Sequence, residues 1–262
     1  MAKNNSSKSP NRAPFYAVLL IIVLGGIGAI LYMQKNPTRS QSSAAYEDLR
    51  TRYANAGPPQ PYVIGDTNAP VVIEEFADYE CPSCANYAVI TEPDVRKRIV
   101  SAGLAYYKYY DFPLPGHNHS PAASLAAACA DEQQKFWEMH DQLFTGQDQW
   151  GLGPTNREVV DNPKPVFKRF AQNIGLDIAQ WESCYDSGKY NDRVNANAGE
   201  ALRRNVESTP TFFINGKKVI GAISYDEMKR LVDEAAKAGP ISAADSAMNN
   251  MIQHSQSDPH GH

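Results

Sequence analysis

The stretch Val71-Val72-Ile73-Glu74-Glu75-Phe76-Ala77-Asp78-Tyr79-Glu80-Cys81-Pro82-Ser83-Cys84 decides how this chain folds. An apolar, strand-like run delivers a Cys-x-x-Cys to a point where Pro82 can open a helix, because the N–H that proline lacks has no partner in a first helical turn. Far downstream, Ser208-Thr209-Pro210-Thr211-Phe212 sets a lone proline at the head of a second apolar strand. The tetrapeptide alone is a weak signal. The two segments together read as a dithiol that cycles between thiol and disulfide.

Working outward, strand and helix patterns alternate. Strands are expected at Tyr62 to Ile64, Val71 to Ala77 and Leu104 to Tyr110, with a helix from Pro82. Between 121 and 206 the strand pattern vanishes and apolar residues such as Phe136, Leu143 and Phe144 recur at helical spacing, which reads as a helical insertion. Strands resume at Thr211 to Ile214 and Lys218 to Ile220 around an Asn215-Gly216 hairpin turn, and a helix from Tyr225 to Lys237 would cover the sheet. The segments 61–120 and 207–238 would then form one α/β domain interrupted by the insert, with a loose polar tail over 239–262.

The N-terminus is of another kind. Residues 1–14 hold Lys3, Lys8 and Arg12 and no acid, and 15–33 is an uncharged run of 19 residues. At ~1.5 Å per residue it reaches about 28 Å, close to the hydrocarbon thickness of a bilayer. We read it as an uncleaved signal anchor; cleavage near Ser43 or Ala44 is the alternative. The basic residues before the span place the remainder on the periplasmic or extracellular side. Residues 34–60, rich in Ser, Ala, Asn and Pro, read as a linker. Beyond Gln34 the chain holds 22 basic against 29 acidic residues, which makes nucleic acid an unsuitable partner. Four cysteines in an exported chain suit an oxidising compartment.

Thiols react as thiolates, and a helix N-terminus lowers a cysteine pKa. Cys81 is therefore assigned as the exposed attacking sulfur and Cys84, one turn inward, as the buried resolving thiol; Pro82 and Ser83 tune the couple. Glu74 and Glu75 must face opposite sides of their strand. Glu75, six residues before Cys81, is the candidate buried acid that exchanges a proton with Cys84, unless this is an edge strand and both carboxylates reach water. Thr209-Pro210 is expected as a cis peptide beside the dithiol, leaving Thr209 backbone groups free to pair with an extended substrate. Cys129 and Cys184, 55 positions apart, are expected as a structural disulfide, with two buried free thiols as the alternative. His117 and His119 are expected in a solvated loop, with lining of the redox groove as the alternative, His140 in or beside the core, and His254, His260 and His262 in a disordered polar tail, with metal binding there as the alternative. A membrane-tethered copper carrier is the rival reading of the dithiol, although zinc or copper would need further ligands that do not lie near the motif.

Four segments carry a family resemblance: Glu75-Phe76-Ala77-Asp78-Tyr79-Glu80-Cys81-Pro82-Ser83-Cys84, Asp111-Phe112-Pro113-Leu114, Lys135-Phe136-Trp137-Glu138-Met139-His140-Asp141 and Thr209-Pro210-Thr211-Phe212-Phe213-Ile214-Asn215-Gly216. Over roughly Tyr62 to Lys237 the chain resembles the DsbA-like thiol-disulfide oxidoreductases of the thioredoxin superfamily. The resemblance implies a thioredoxin fold, a central mixed sheet flanked by helices with the helical insert already noted; no metal or other cofactor is expected from the residues around the dithiol. It implies oxidation of reduced exported polypeptides and reoxidation by a quinone-linked, DsbB-like membrane partner. Glu75 matches the family's buried acid by its spacing to the first cysteine. The best-known oxidases carry histidine where this chain has Ser83, which leaves a milder oxidase, a reductase or an isomerase open.

Overall fold

The computed structural model describes residues 22–28, 38–151 and 160–239. The residues up to Asp48 and those from Leu49 onward form two units. In the first, residues 22–28 are helical and expose Ile22, Val23, Leu24 and Ile27. Among the described residues no helix is long and apolar enough to cross a membrane, and the rest of the expected span 15–33, like residues 1–14 and the tail beyond Gly239, lies outside them. The segment read as a linker carries helix α1, Thr38–Tyr53.

Five strands form one mixed sheet in the order β1-β3-β2-β4-β5. These are β1 (Tyr62–Ile64), β2 (Val72–Ala77), β3 (Tyr106–Asp111), β4 (Thr211–Ile214) and β5 (Lys217–Ile220). β2 pairs in parallel with β3 and antiparallel with β4, so Glu75 lies between Tyr109 and Phe212 in the middle of the sheet. The edge-strand alternative for Glu74 and Glu75 falls with that pairing. Asn215 and Gly216 turn β4 into β5 with φ of 44° and 84°, the left-handed pair that a two-residue hairpin of this hand needs.

Helix α2 (Pro82–Ile90) follows β2 directly; Pro82 occupies its first turn, and Cys81 before it has extended backbone at φ −72° and ψ 120°. It stops because Pro93, in the next helix α3 (Glu92–Val95), has no N–H to continue the ladder. The insert packs α4 (Ser120–Asp131), α5 (Phe136–Thr145), α6 (Lys164–Asn173), α7 (Ile178–Ser187) and α8 (Asn191–Arg203). Cys129 of α4 and Cys184 of α7 are joined by a disulfide, their Cα atoms 5.8 Å apart. Helix α9 (Tyr225–Ala238) begins at Ser224, whose hydroxyl accepts the Glu227 N–H at 3.3 Å.

Two cores meet at α2. One joins Tyr62, Tyr79, Tyr109, Cys84 and Ala88 to the insert. The other joins Ile73, Tyr87, Ile99, Tyr107 and Phe212 to Met228, Leu231 and Val232 of α9. With Cys84 on one side and Tyr87 on the other, α2 is wedged in place, and the dithiol at its start is carried on a rigid element.

Candidate active site

Both cysteines of the motif are thiols in this structure. Cys84 is fully buried, and Cys81, expected to be exposed, is only 8% accessible. The reason is the Thr209-Pro210 segment, a cis peptide that meets the sulfur from the far strand. The Cys81 S–H donates to the Thr209 carbonyl at 3.4 Å. Pro82 and Ser83 are exposed.

The two thiols are electrostatically unlike. Cys81 is pulled down to about 6, first by a hydrogen bond from Cys84, then, against the opposing effect of burial, by Thr209 and by the N–H groups of Cys84 and Ser83 at the start of α2. The Thr209 hydroxyl is buried and has no partner in the thiol state, so it is free to donate to a thiolate. Cys84 is pushed well up by burial, by its bond to Cys81 and by the Cys81 and Glu75 charges. Such a pair puts the electron pair of the reduced state on Cys81 and the proton on Cys84.

Glu75 is 1% exposed and accepts the Tyr107 hydroxyl at 2.6 Å. Its pKa is raised well above the carboxylate range by burial and by Glu92, the Tyr107 bond opposing. Glu92 in turn faces Arg96 at 3.4 Å and His140 at 3.1 Å. His140 is fully buried in the core, where its other ring nitrogen meets the Tyr79 hydroxyl at 3.2 Å.

Several supporting residues were not anticipated from sequence. The buried side-chain amide of Gln147 donates to the carbonyls of Tyr79 at 2.6 Å and Cys81 at 3.1 Å, fixing the turn that carries the sulfur. Asp78 accepts the N–H of Glu80 and of Leu114, both at 2.7 Å, and its backbone carbonyl accepts the Cys81 N–H at 3.0 Å. Glu80 accepts the N–H groups of His119 and Ser120 at the start of α4, at 2.7 and 2.8 Å. The loop holding His117 and His119 is therefore not the solvated one expected: two buried carboxylates strap it to the redox turn, and His117 Nδ1 lies 2.7 Å from Asp78. Two acids so close to a thiol are the sequence signal that could have suggested it, since unpaired they would oppose the thiolate.

A strand-borne dithiol at a helix start, faced by a cis-proline, matches the sequence pattern of the thioredoxin family over residues 58–234. The chain belongs to the thioredoxin family. It is 25% identical to disulfide bond formation protein D of Bacillus subtilis over 67% of its own length and 77% of that protein's. The oxidised BdbD structure from the same organism superposes with a TM-score of 0.59 at 25% identity, covering 70% of this chain and 98% of BdbD. A Na(+)/H(+) antiporter NhaA 3 of Salinispora tropica is 31% identical over 68% of this chain, but the chain spans only 25% of the antiporter's length. Within the thioredoxin family the protein is DsbA-like.

Proposed function

We propose that this protein is a protein disulfide oxidoreductase that introduces disulfides into reduced exported polypeptides. The observation that carries the reading is the asymmetry of the dithiol, Cys81 drawn down to about 6 and Cys84 pushed up. The names of its relatives favour this chemistry over metal carriage.

A substrate thiolate attacks the Cys81 sulfur of the oxidised enzyme. The Cys81–Cys84 bond breaks, its electron pair leaves on Cys84, and Glu75, kept protonated by burial, is placed to supply the proton Cys84 takes up. A substrate strand held along Thr209 and Pro210 keeps the mixed disulfide in place. A second substrate thiolate then attacks the substrate's sulfur, forming the new disulfide and expelling Cys81 as thiolate. A leaving group of low pKa departs fastest, which favours this direction. The enzyme ends reduced by two electrons, and a quinone-linked, DsbB-like membrane partner would accept them. The 15–33 segment would anchor the enzyme in the membrane with this site on the periplasmic or extracellular side.

The test is the reduction potential of the full-length protein, equilibrated with glutathione buffers. A value near about −120 mV identifies an oxidase, and one near about −270 mV identifies a reductase and reverses the direction of transfer.

A further inference from the structure

Asp78 and Glu80 stand three residues and one residue before Cys81, each 1% exposed, and buried anions beside a thiolate oppose its formation. Each carboxylate is met in the structure by donors from the facing loop or its own turn. Glu80 is compensated by the first N–H groups of α4, the positive end of a twelve-residue helix. Asp78 accepts two backbone N–H groups and has one ionisable neighbour of opposite sign within bonding distance, His117 at 2.7 Å.

We propose that His117, clamped to Asp78, is a positioning and tuning residue of the redox centre: as imidazolium it neutralises Asp78 beside Cys81 and so stabilises the Cys81 thiolate. This rests on the disulfide oxidoreductase reading above. Ser83 carries no charge, and His117, 34 positions further along, supplies from the strapped loop a positive charge that the residues between the cysteines lack. The groups that act on His117 are those the strap gathers. Asp78 raises its pKa through their hydrogen bond, burial opposes, and the Asp78, Glu80 and Cys81 charges raise it further. Each of the three anions favours imidazolium, and imidazolium favours the thiolate in return, because the coupling is reciprocal. As pH rises through the His117 pKa this support is lost, so the couple becomes less oxidising above that point than a single thiolate titration describes.

The experiment is a charge cycle on the full-length protein: wild type, His117→Gln, Asp78→Asn and the double variant. For each, the Cys81 pKa is read from the pH dependence of alkylation and the potential from glutathione equilibria. Loss of His117 leaves Asp78 uncompensated, so His117→Gln should raise the Cys81 pKa and lower the oxidising equilibrium constant about three- to tenfold, or about 15–30 mV. The double variant removes both charges and should return close to wild type, and His117→Lys should hold the pKa low without the loss at high pH. A purely structural strap would give the opposite pattern, the double variant being no better than His117→Gln. That pattern, or an unchanged potential in His117→Gln, overturns the proposal. If wild-type protein fails to exchange disulfides at all, the functional reading fails, and that outcome is separate from either result.

Discussion

Replacing Cys84 with alanine should move the Cys81 titration upward while leaving the fold in place. The Cys84 S–H bond is the first of the groups that draw Cys81 down to about 6. A hydrogen bond to a charged group contributes about 1.5–3 kcal/mol, and a pKa unit is ~1.4 kcal/mol. The variant's Cys81 should thus titrate about one to two units higher, between about 7 and 8. It should stop there, short of an ordinary thiol, because the Ser83 N–H, the N–H at position 84 and the Thr209 hydroxyl are all retained. At pH 7 the thiolate fraction would fall from about nine-tenths to between about a half and a tenth. The assay is the rate of Cys81 alkylation by iodoacetamide across pH, followed by mass spectrometry on wild type and variant. The midpoint is the readout, because a thiol of higher pKa is also a better intrinsic nucleophile and the plateau rates are not comparable. A variant midpoint that stays at about 6 would refute the reasoning and leave the helix start and Thr209 as the whole cause. Given a disulfide such as oxidised glutathione, the Cys81 thiolate of the same variant should attack it, release one glutathione thiolate and retain the other as a mixed disulfide, since the internal attack by Cys84 that would free Cys81 is gone.

Glu75→Gln should slow disulfide exchange and flatten its pH profile; it should also stabilise the protein at pH 7 relative to wild type, because a carboxyl with a raised folded pKa costs stability as pH rises above its unfolded value. Chemical denaturation at pH 4 and pH 7 checks this, and a variant that loses stability at pH 7 counts against a protonated Glu75. Removing the structural disulfide with Cys129→Ala and Cys184→Ala together should cost about 4 kcal/mol in the chain-entropy account of a loop of 55 residues, seen as a lower denaturation midpoint with the Cys81 pKa unmoved. Glu80→Gln should weaken the α4 start, speeding hydrogen exchange of the His119 and Ser120 amides about tenfold, with no comparable change in α7.

The elements at the sheet were legible in the sequence because each is specified locally. Apolar, strand-like runs mark β2 and β4, Asn215-Gly216 marks the hairpin from β4 to β5, and Pro82 marks the start of α2. Strand alternation turned one of Glu74 and Glu75 inward and the spacing to Cys81 chose Glu75, although only the sheet order, which brings Phe212 of β4 from 137 residues downstream to its other side, makes it central. What stayed hidden is the support of the sulfur. Gln147, 66 positions from Cys81, sits in a polar stretch with nothing in its neighbourhood to mark it as buried. His117 looked like a loop histidine because its partner, 39 positions away, is itself an acid in a turn. Side-chain partners across such separations are set by tertiary packing, and the accessibility of Cys81 is set the same way, by a proline strand 128 residues further on.

The carboxylates around this dithiol can be sorted by what each is paired with. Glu80 is held by a helix N-terminus, Asp78 by His117 and two N–H groups, and Glu92 by Arg96 and His140. Each of these is engaged by more than one donor or cation of its own. Glu75 differs: its one hydrogen-bond donor is the neutral Tyr107 hydroxyl, and burial together with the nearby Glu92 charge keeps its proton on. Glu75 and Cys84 are coupled: a negative charge on Glu75 would raise the Cys84 pKa, so once Glu75 loses its proton Cys84 binds one more tightly. When the disulfide opens and the buried Cys84 must gain a proton, Glu75 is the acid coupled to it whose own pKa burial and the Glu92 charge raise. The ion pair of Glu92 with Arg96 then has a use beyond stability, since the Glu92 charge it holds beside Glu75 is one of the causes that raise the Glu75 pKa.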